Sequence, residues 1–209
     1  PNRRASELLM QRYYRAAKQV QLANEMLLPA LHALVTQEAA ANVPVDDEFA
    51  LHGNMLAVRR ADLFISDQSA ILRAFLAAMR HSVTAFEPGT LRALWRARTG
   101  IDQKFRNDPE NRAAFLSILR EPAGVTWALA AMSRYGILGR YLPAFGRIAG
   151  QMQHDGFHIY TVDEHTLAVL RNVRRFTVAE FSHEYPLASS LMLAFDKPEL
   201  LYLAALFHD

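Results

Sequence analysis

The stretch Asp108-Pro-Glu-Asn-Arg-Ala-Ala-Phe115-Leu-Ser-Ile-Leu119-Arg-Glu121-Pro-Ala-Gly-Val125-Thr-Trp-Ala-Leu-Ala-Ala-Met-Ser-Arg-Tyr135-Gly136 decides how the chain folds. Asp108 before Pro109 is a cap-plus-first-position pair. The carboxylate accepts from first-turn N–H groups, and the donor that proline lacks is one the helix start leaves unused. Phe115, Leu116 and Leu119 then return at helical spacing. Glu121-Pro-Ala-Gly interrupts the pattern, a second helical segment runs from Val125 to Tyr135, and Gly136 supplies the left-handed residue that closes it. Helices joined by so short a loop lie antiparallel, and a chain of such pairs is a bundle. The fold class read from this stretch is mainly α.

Working outward, the same punctuation recurs. Pro88-Gly89-Thr90 opens a segment with Leu91, Leu94 and Trp95, and Ser66 or Asp67 caps one with Leu72, Phe75, Leu76 and Met79. Nearer the start, Leu9, Tyr13, Ala16, Val20, Ala23, Leu27, Leu31 and Leu34 recur at steps of three and four. That stripe predicts one long helix packed by this face into the core, with a kink or break near Leu28 imposed by Pro29. Residues 42–67 change character: Asn42-Val-Pro-Val-Asp-Asp-Glu is turn-rich, and Phe49, Leu51, Leu56 and Val58 alternate with polar neighbours around Gly53-Asn54. One small β-hairpin or extended pair between Asp47 and Arg60 is expected, packed on the helices because two strands are not stable alone.

Beyond Gly136 the chain becomes dense in turns. Four of its 9 glycines lie between Gly136 and Gly150, with Pro143 among them, which suits a connector between two units. The expected boundary is at Gly150, giving a helical linker domain over 1–150 and a second domain over 151–209. Helices are expected from about Asp163 to Phe176, with Asp163 as N-cap, and from about Pro198. There is no solenoid-type repeat and no GxxxxGK[ST] phosphate loop.

Composition narrows the function classes. The 209 residues are 51% hydrophobic and 21% charged, enough for a packed core, and contain no cysteine, which excludes disulfides and thiolate metal sites. With 23 Lys and Arg against 21 Asp and Glu, the basic excess is too slight for a nucleic-acid partner. No apolar run reaches the roughly 18 residues of a membrane span. The start, Pro1-Asn-Arg-Arg-Ala-Ser-Glu, has no initiator Met and no signal-peptide core. An internal fragment of a cytoplasmic protein is expected.

The chemistry-bearing residues cluster late. His165 lies in Tyr160-Thr-Val-Asp-Glu-His-Thr-Leu, and His208-Asp209 end the apolar segment Pro198-Glu-Leu-Leu-Tyr-Leu-Ala-Ala-Leu-Phe-His-Asp. A His on one helix and a His-Asp pair ending another is how an HD-type phosphohydrolase holds a divalent ion, because imidazole and carboxylate together suit a water-activating metal. Taken singly, each His reads better as a hydrogen-bonded core residue. A second cluster puts His154, Asp155 and His158 just ahead of Asp163, Glu164 and His165. Such groups need a metal, a phosphate or each other if buried, and make a polar loop if exposed. His154, Asp155 and His158 are candidates for supporting or phosphate-contacting roles.

At this point the residues resemble a known family. Asn2-Arg-Arg-Ala-Ser-Glu-Leu-Leu-Met-Gln-Arg-Tyr-Tyr-Arg-Ala-Ala, Phe105-Arg-Asn-Asp-Pro-Glu-Asn-Arg-Ala-Ala-Phe, Met132-Ser-Arg-Tyr-Gly-Ile-Leu-Gly-Arg-Tyr-Leu-Pro-Ala-Phe-Gly, Gln153-His-Asp-Gly-Phe-His-Ile-Tyr-Thr-Val-Asp-Glu-His-Thr-Leu and Leu201-Tyr-Leu-Ala-Ala-Leu-Phe-His-Asp are similar to bacterial PII uridylyltransferase/uridylyl-removing enzymes along essentially the whole chain. The resemblance implies a nucleotidyltransferase domain, a helical linker, an HD domain and two ACT domains. It further implies attachment of UMP to the PII signalling protein, hydrolytic removal by the HD domain, and control by glutamine. It assigns His165, His208 and Asp209 to a Mg²⁺ or Mn²⁺ site, and UTP and glutamine to regions absent from this chain.

On that reading the chain is the linker bundle plus the first helices of an HD domain. It has no complete catalytic set and no activity of its own, and Leu200, Leu203, Ala204 and Phe207 are left bare for self-association. Two alternatives come from other classes: a non-catalytic helical module that docks PII or neighbouring domains, and an RNA nucleotidyltransferase-like HD protein, which the weak charge excess disfavours.

Overall fold

The computed structural model describes residues 5–36, 41–152 and 160–208. Among them are twelve α-helices and one three-stranded antiparallel sheet. The chain divides into two compact units, Ala17–Tyr141 and a second made of Pro1–Ala16 with Leu142–Asp209. Helix α1 (Ala5–Thr36) contributes to both.

In the unit Ala17–Tyr141 the sheet has three strands where the sequence predicts two: β1 (Asn42–Pro44), β2 (Phe49–His52) and β3 (Met55–Val58). The register pairs Val43 with Leu51 and Leu51 with Leu56. The extra strand, Asn-Val-Pro, carries no alternation to read. It is held by its ladder and by Asp46, whose Oδ1 accepts from the Glu48 and Phe49 amides at 2.8 and 2.7 Å. Gly53, at φ 61°, makes the tight β2–β3 turn.

Seven helices follow in this unit: α2 (Leu63–Ser66), α3 (Ala70–Arg80), α4 (Pro88–Ala97), α5 (Gln103–Asn107), α6 (Pro109–Arg120), α7 (Val125–Arg134) and α8 (Leu138–Tyr141). Asp108 caps α6 as its sequence predicts, accepting from the Glu110 and Asn111 amides at 2.8 and 3.2 Å. Gly136 lies at φ 73° just past α7. Of two other starts one agrees with expectation, α4 opening at Pro88, and one differs. The cap of α4 is Glu87, which accepts from the Thr90 amide at 2.9 Å. Ser66 belongs to α2, while Asp67 braces the start of α3 by accepting from the Ser69 amide at 2.9 Å.

Helix α3 is the hub of the core, with Ala70, Ile71, Leu72, Ala74 and Phe75 all fully buried against β3, α6 and α7. Around it Phe75, Phe86 and Tyr135 stack at centroid distances of 5.3 to 6.4 Å. Arg73, on the rim of α3, pairs with Glu48 (2.6 Å) and Asp67 (2.5 Å) and reaches Glu110 (3.5 Å). Burial alone would raise Asp67, but the hydrogen bond and charge of Arg73 hold it below the ordinary 3.8.

The expectation for α1 is overturned in one respect. The helix runs through Pro29 to Thr36 without the break that was one of the two alternatives there. Its apolar stripe is not core: Leu9, Tyr13, Val20, Leu27, Leu31 and Leu34 are all more than half exposed. The buried side carries Gln11 and Leu22 instead. Polar groups hold that side because they find partners: Glu25 pairs with Arg134 at 3.1 Å, within the unit Ala17–Tyr141.

In the other unit, α9 (Pro143–Ile148) ends on carbonyls that its own helix cannot satisfy. Gln11 Nε2 donates to the carbonyls of Arg147 and Ala149 at 3.3 and 3.2 Å, and Arg15 Nε donates to that of Ala149 at 3.0 Å. Helices α10 (Val162–Arg175), α11 (Pro186–Leu193) and α12 (Pro198–Leu206) complete it, and α12 packs along α10.

Candidate metal centre

Two of the expected ligands come together. His165 sits at the end of the first turn of α10, half-buried, its amide bonded to the Thr161 carbonyl at 2.9 Å. His208 follows the end of α12. The α10–α12 packing brings their rings to a centroid separation of 5.5 Å with planes 47° apart. That spacing suits a shared ion: with metal–nitrogen bonds of about 2.1 Å, two imidazoles on one centre hold their centroids on the order of 5 Å apart.

The tautomer of His208 is also set. Its Nδ1 lies 2.8 Å from the Ala205 carbonyl, which only accepts, so Nδ1 carries the proton and the lone pair of the neutral ring is on Nε2. A backbone carbonyl holding the second nitrogen in this way orients a ligating histidine and raises its basicity.

The ground beneath the site is built by Asp163, which the sequence reading casts as an N-cap. Thr161 is the N-cap residue, and Asp163 points into the interior, fully buried, where its Oδ1 accepts from the Gly150 amide at 2.9 Å. Gly150 needs to be glycine: its φ is 70°, and a Cβ there would come within 3.2 Å of Arg15 and 3.3 Å of the Gln11 carbonyl. One buried carboxylate thus ties the start of α10 to the close of the connector. An acidic residue two positions before His165 hints at it, but short-range cues favour a cap and conceal the long-range bond. Arg174 and Tyr202, also unforeseen, lock α10 to α12 through a 3.0 Å bond from guanidinium to phenol oxygen.

Asp209, His154, Asp155 and His158 lie outside the described residues. Among the described residues no three His, Asp or Glu side chains gather into one ion site. Alongside His208 runs an apolar cavity of about 660 Å³ lined by Val169, Val173, Phe176, Met192 and Leu201. Apart from His208, that lining is apolar. Leu200 and Ala204 on α12 and Phe207 just past it are exposed, and Leu203 is half-buried. No helix of the described residues is long and apolar enough to cross a membrane.

Comparison with known proteins gives this architecture a class. Residues 49–141 match the family described as the uridylyltransferase GlnD third domain, a range that takes in β2, β3 and α2–α8. The whole chain is 60% identical to a bifunctional uridylyltransferase/uridylyl-removing enzyme of Thiobacillus denitrificans, covering 25% of that protein. It is 51% identical to the proteins of the same name from Chromobacterium violaceum and Nitrosospira multiformis, covering 25% and 24% of them. Over its whole length the chain is similar to bifunctional uridylyltransferase/uridylyl-removing enzymes, and it spans about a quarter of the length of the relatives it matches. No solved structure matches it.

Proposed function

We propose that the chain serves, within a longer cytoplasmic enzyme, the removal of UMP from a PII-type signalling protein, as the names of its relatives suggest for the parent activity. In this reading residues 1–150 are the linker bundle and residues 151–209 begin an HD hydrolase domain. His165 and His208, with Asp209, would hold a divalent ion, Mg²⁺ or Mn²⁺. The observation that carries the reading is the 5.5 Å approach of His165 and His208 from two packed helices, with His208 oriented by a backbone carbonyl. An ion bound there would supply a hydroxide-like water near neutral pH and a positive charge for the phosphate. The residues of this chain would orient that ion: Ala205 fixes the His208 tautomer, and Asp163 and the Arg174–Tyr202 bond fix the helices that carry the ligands. UMP attachment and the response to glutamine would belong to parts of the parent outside this chain, and the chain alone would be inactive.

The test is His165→Ala and His208→Ala in the full-length enzyme, assayed in both directions on PII. UMP removal should fall at least about 100-fold, as expected when a metal ligand is lost, while UMP attachment is retained. Equal loss of both activities in a folded variant would assign the two histidines a structural role. The second reading, a docking module for PII or for neighbouring domains, is favoured by the exposed apolar face of α12. It predicts that both variants keep UMP removal.

A further inference from the structure

We propose that a cavity within the unit Ala17–Tyr141 binds a pyrimidine nucleoside monophosphate. The cavity lies where α2 meets α4 and has a volume of about 410 Å³. Ligand sites run from about 300 to 1,000 Å³, so this one has room for a single ring with its sugar phosphate. Phe64, Ala93 and Ala97 give it apolar surface. Ile65, which also lines it, is 83% exposed. A flat ring laid against that side chain would take it out of water.

Three polar groups line the cavity with hydrogen-bonding capacity unspent. Among the described residues the Gln68 side chain makes no hydrogen bond and Arg96 pairs with no carboxylate. Thr99, in the 3₁₀ turn Arg98–Gly100 that follows α4, donates its hydroxyl to the Arg96 carbonyl at 3.1 Å and keeps its oxygen free to accept. Arg92, one turn before Arg96, is exposed and also pairs with no carboxylate among the described residues. Like charges four residues apart destabilise a helix, and an anion at Arg96 relieves that repulsion.

Gly100 seats the amide. A Cβ there would fall 1.9 Å from Gln68 Nε2 and 2.6 Å from its Cδ, so the carboxamide rests in space that any other residue would fill. An amide held in place before the ligand arrives loses less freedom on binding. A carboxamide sets a donor beside an acceptor, and the edge of uracil carries the complementary pair. A guanidinium takes a phosphate through paired, charge-assisted hydrogen bonds. With the base edge on Gln68, the ring on the apolar surface and the phosphate on Arg96, each unspent group gains a partner. The choice of uracil among pyrimidines rests on the UMP chemistry proposed above.

Isothermal titration of the 209-residue chain in metal-free buffer, with UMP and separately with orthophosphate, tests the site. UMP should bind with a Kd below about 1 mM, at least about tenfold more tightly than orthophosphate. Arg96→Ala should weaken UMP binding at least about tenfold, as loss of a charged hydrogen-bond partner does. Gln68→Ala and Gly100→Ala should each weaken it about threefold or more and leave orthophosphate binding unchanged, the second because its methyl group displaces the amide. Circular dichroism should be unaltered in all three: Gln68 and Arg96 are exposed, and Gly100 is not among the glycines at positive φ. The double variant His165→Ala/His208→Ala should bind UMP as the unaltered chain does. It should do so whether or not those histidines serve UMP removal in the parent, so the two proposals fail separately. Absence of UMP binding, or binding that Arg96→Ala leaves unchanged, would overturn the site. UMP and orthophosphate bound alike would overturn it as well, reducing it to an anion contact at Arg96. Binding lost with the two histidines would overturn it by placing UMP on them.

Discussion

The core around α3 and the pair α11–α12 put apolar side chains to opposite ends. In the unit Ala17–Tyr141, Ile71, Leu72, Phe75, Leu94, Ile118 and Leu129 are sealed inside, and the charges that border them are paired, as Arg73 is with Glu48 and Asp67. In the other unit, Leu187, Leu191 and Leu193 of α11 are 73%, 64% and 73% exposed, and Leu200 and Phe207 around α12 are about half exposed. The first region spends its apolar surface on its own stability. The second keeps apolar surface outward beside the two histidines. Apolar content alone does not say which: α11 and α12 are apolar nearly all round, so only part of that surface finds an interior here.

The largest expected effect tests this contrast directly. Phe75→Ala removes a fully buried ring at the centre of the α3 core and should lower unfolding stability by about 3–5 kcal/mol. Leu191→Ala, on the exposed side of α11, should change it by no more than about 0.5 kcal/mol. Chemical denaturation monitored by circular dichroism reads both. Comparable losses would mean that Leu191 is covered in solution.

Next in size is Asp163. Asp163→Ala removes the acceptor of the buried Gly150 amide and should cost about 1–3 kcal/mol. The loss should centre on the start of α10, so hydrogen exchange should quicken at the Gly150 and His165 amides and remain unchanged in α3. A uniform increase over both units would show instead that the bond supports the chain as a whole.

How much of this was legible in the sequence follows from the range of each cue. Local signals carried well: Asp108-Pro109 and Gly136 mark helix ends because the capping partners lie within four residues. A lone His and a terminal His-Asp are the sequence cue for pairing His165 with His208; their rings stand 5.5 Å apart, and a shared ion there is the proposal. Long-range choices did not carry. The heptad stripe of α1 looks the same whether it faces a core or a partner, and only the tertiary structure shows the Gln11 side turned inward. Asp163 looked like a cap for the same reason: the Gly150 amide that claims it is 13 residues away.

The smallest effect separates the rim of the α3 core from its interior by pH. Asp67 is ionised and hydrogen-bonded to Arg73 in the folded chain, which holds it below its ordinary 3.8. A carboxyl lowered by folding contributes stability above its unfolded value and loses it as pH falls through the folded one. Asp67→Asn keeps an acceptor for the Ser69 amide but discards the charge. The variant should therefore be less stable than the unaltered chain at pH 6, and the gap should shrink as pH falls below about 4, where the unfolded carboxyl takes up its proton. Because the Asp67 side chain is about half exposed, the gap should also narrow in high salt. Thermal melts of the two proteins from pH 7 to pH 3 read it. A gap that stays constant across that range would mean that the shape of the side chain, and not its charge on Arg73, is what the rim of the core requires.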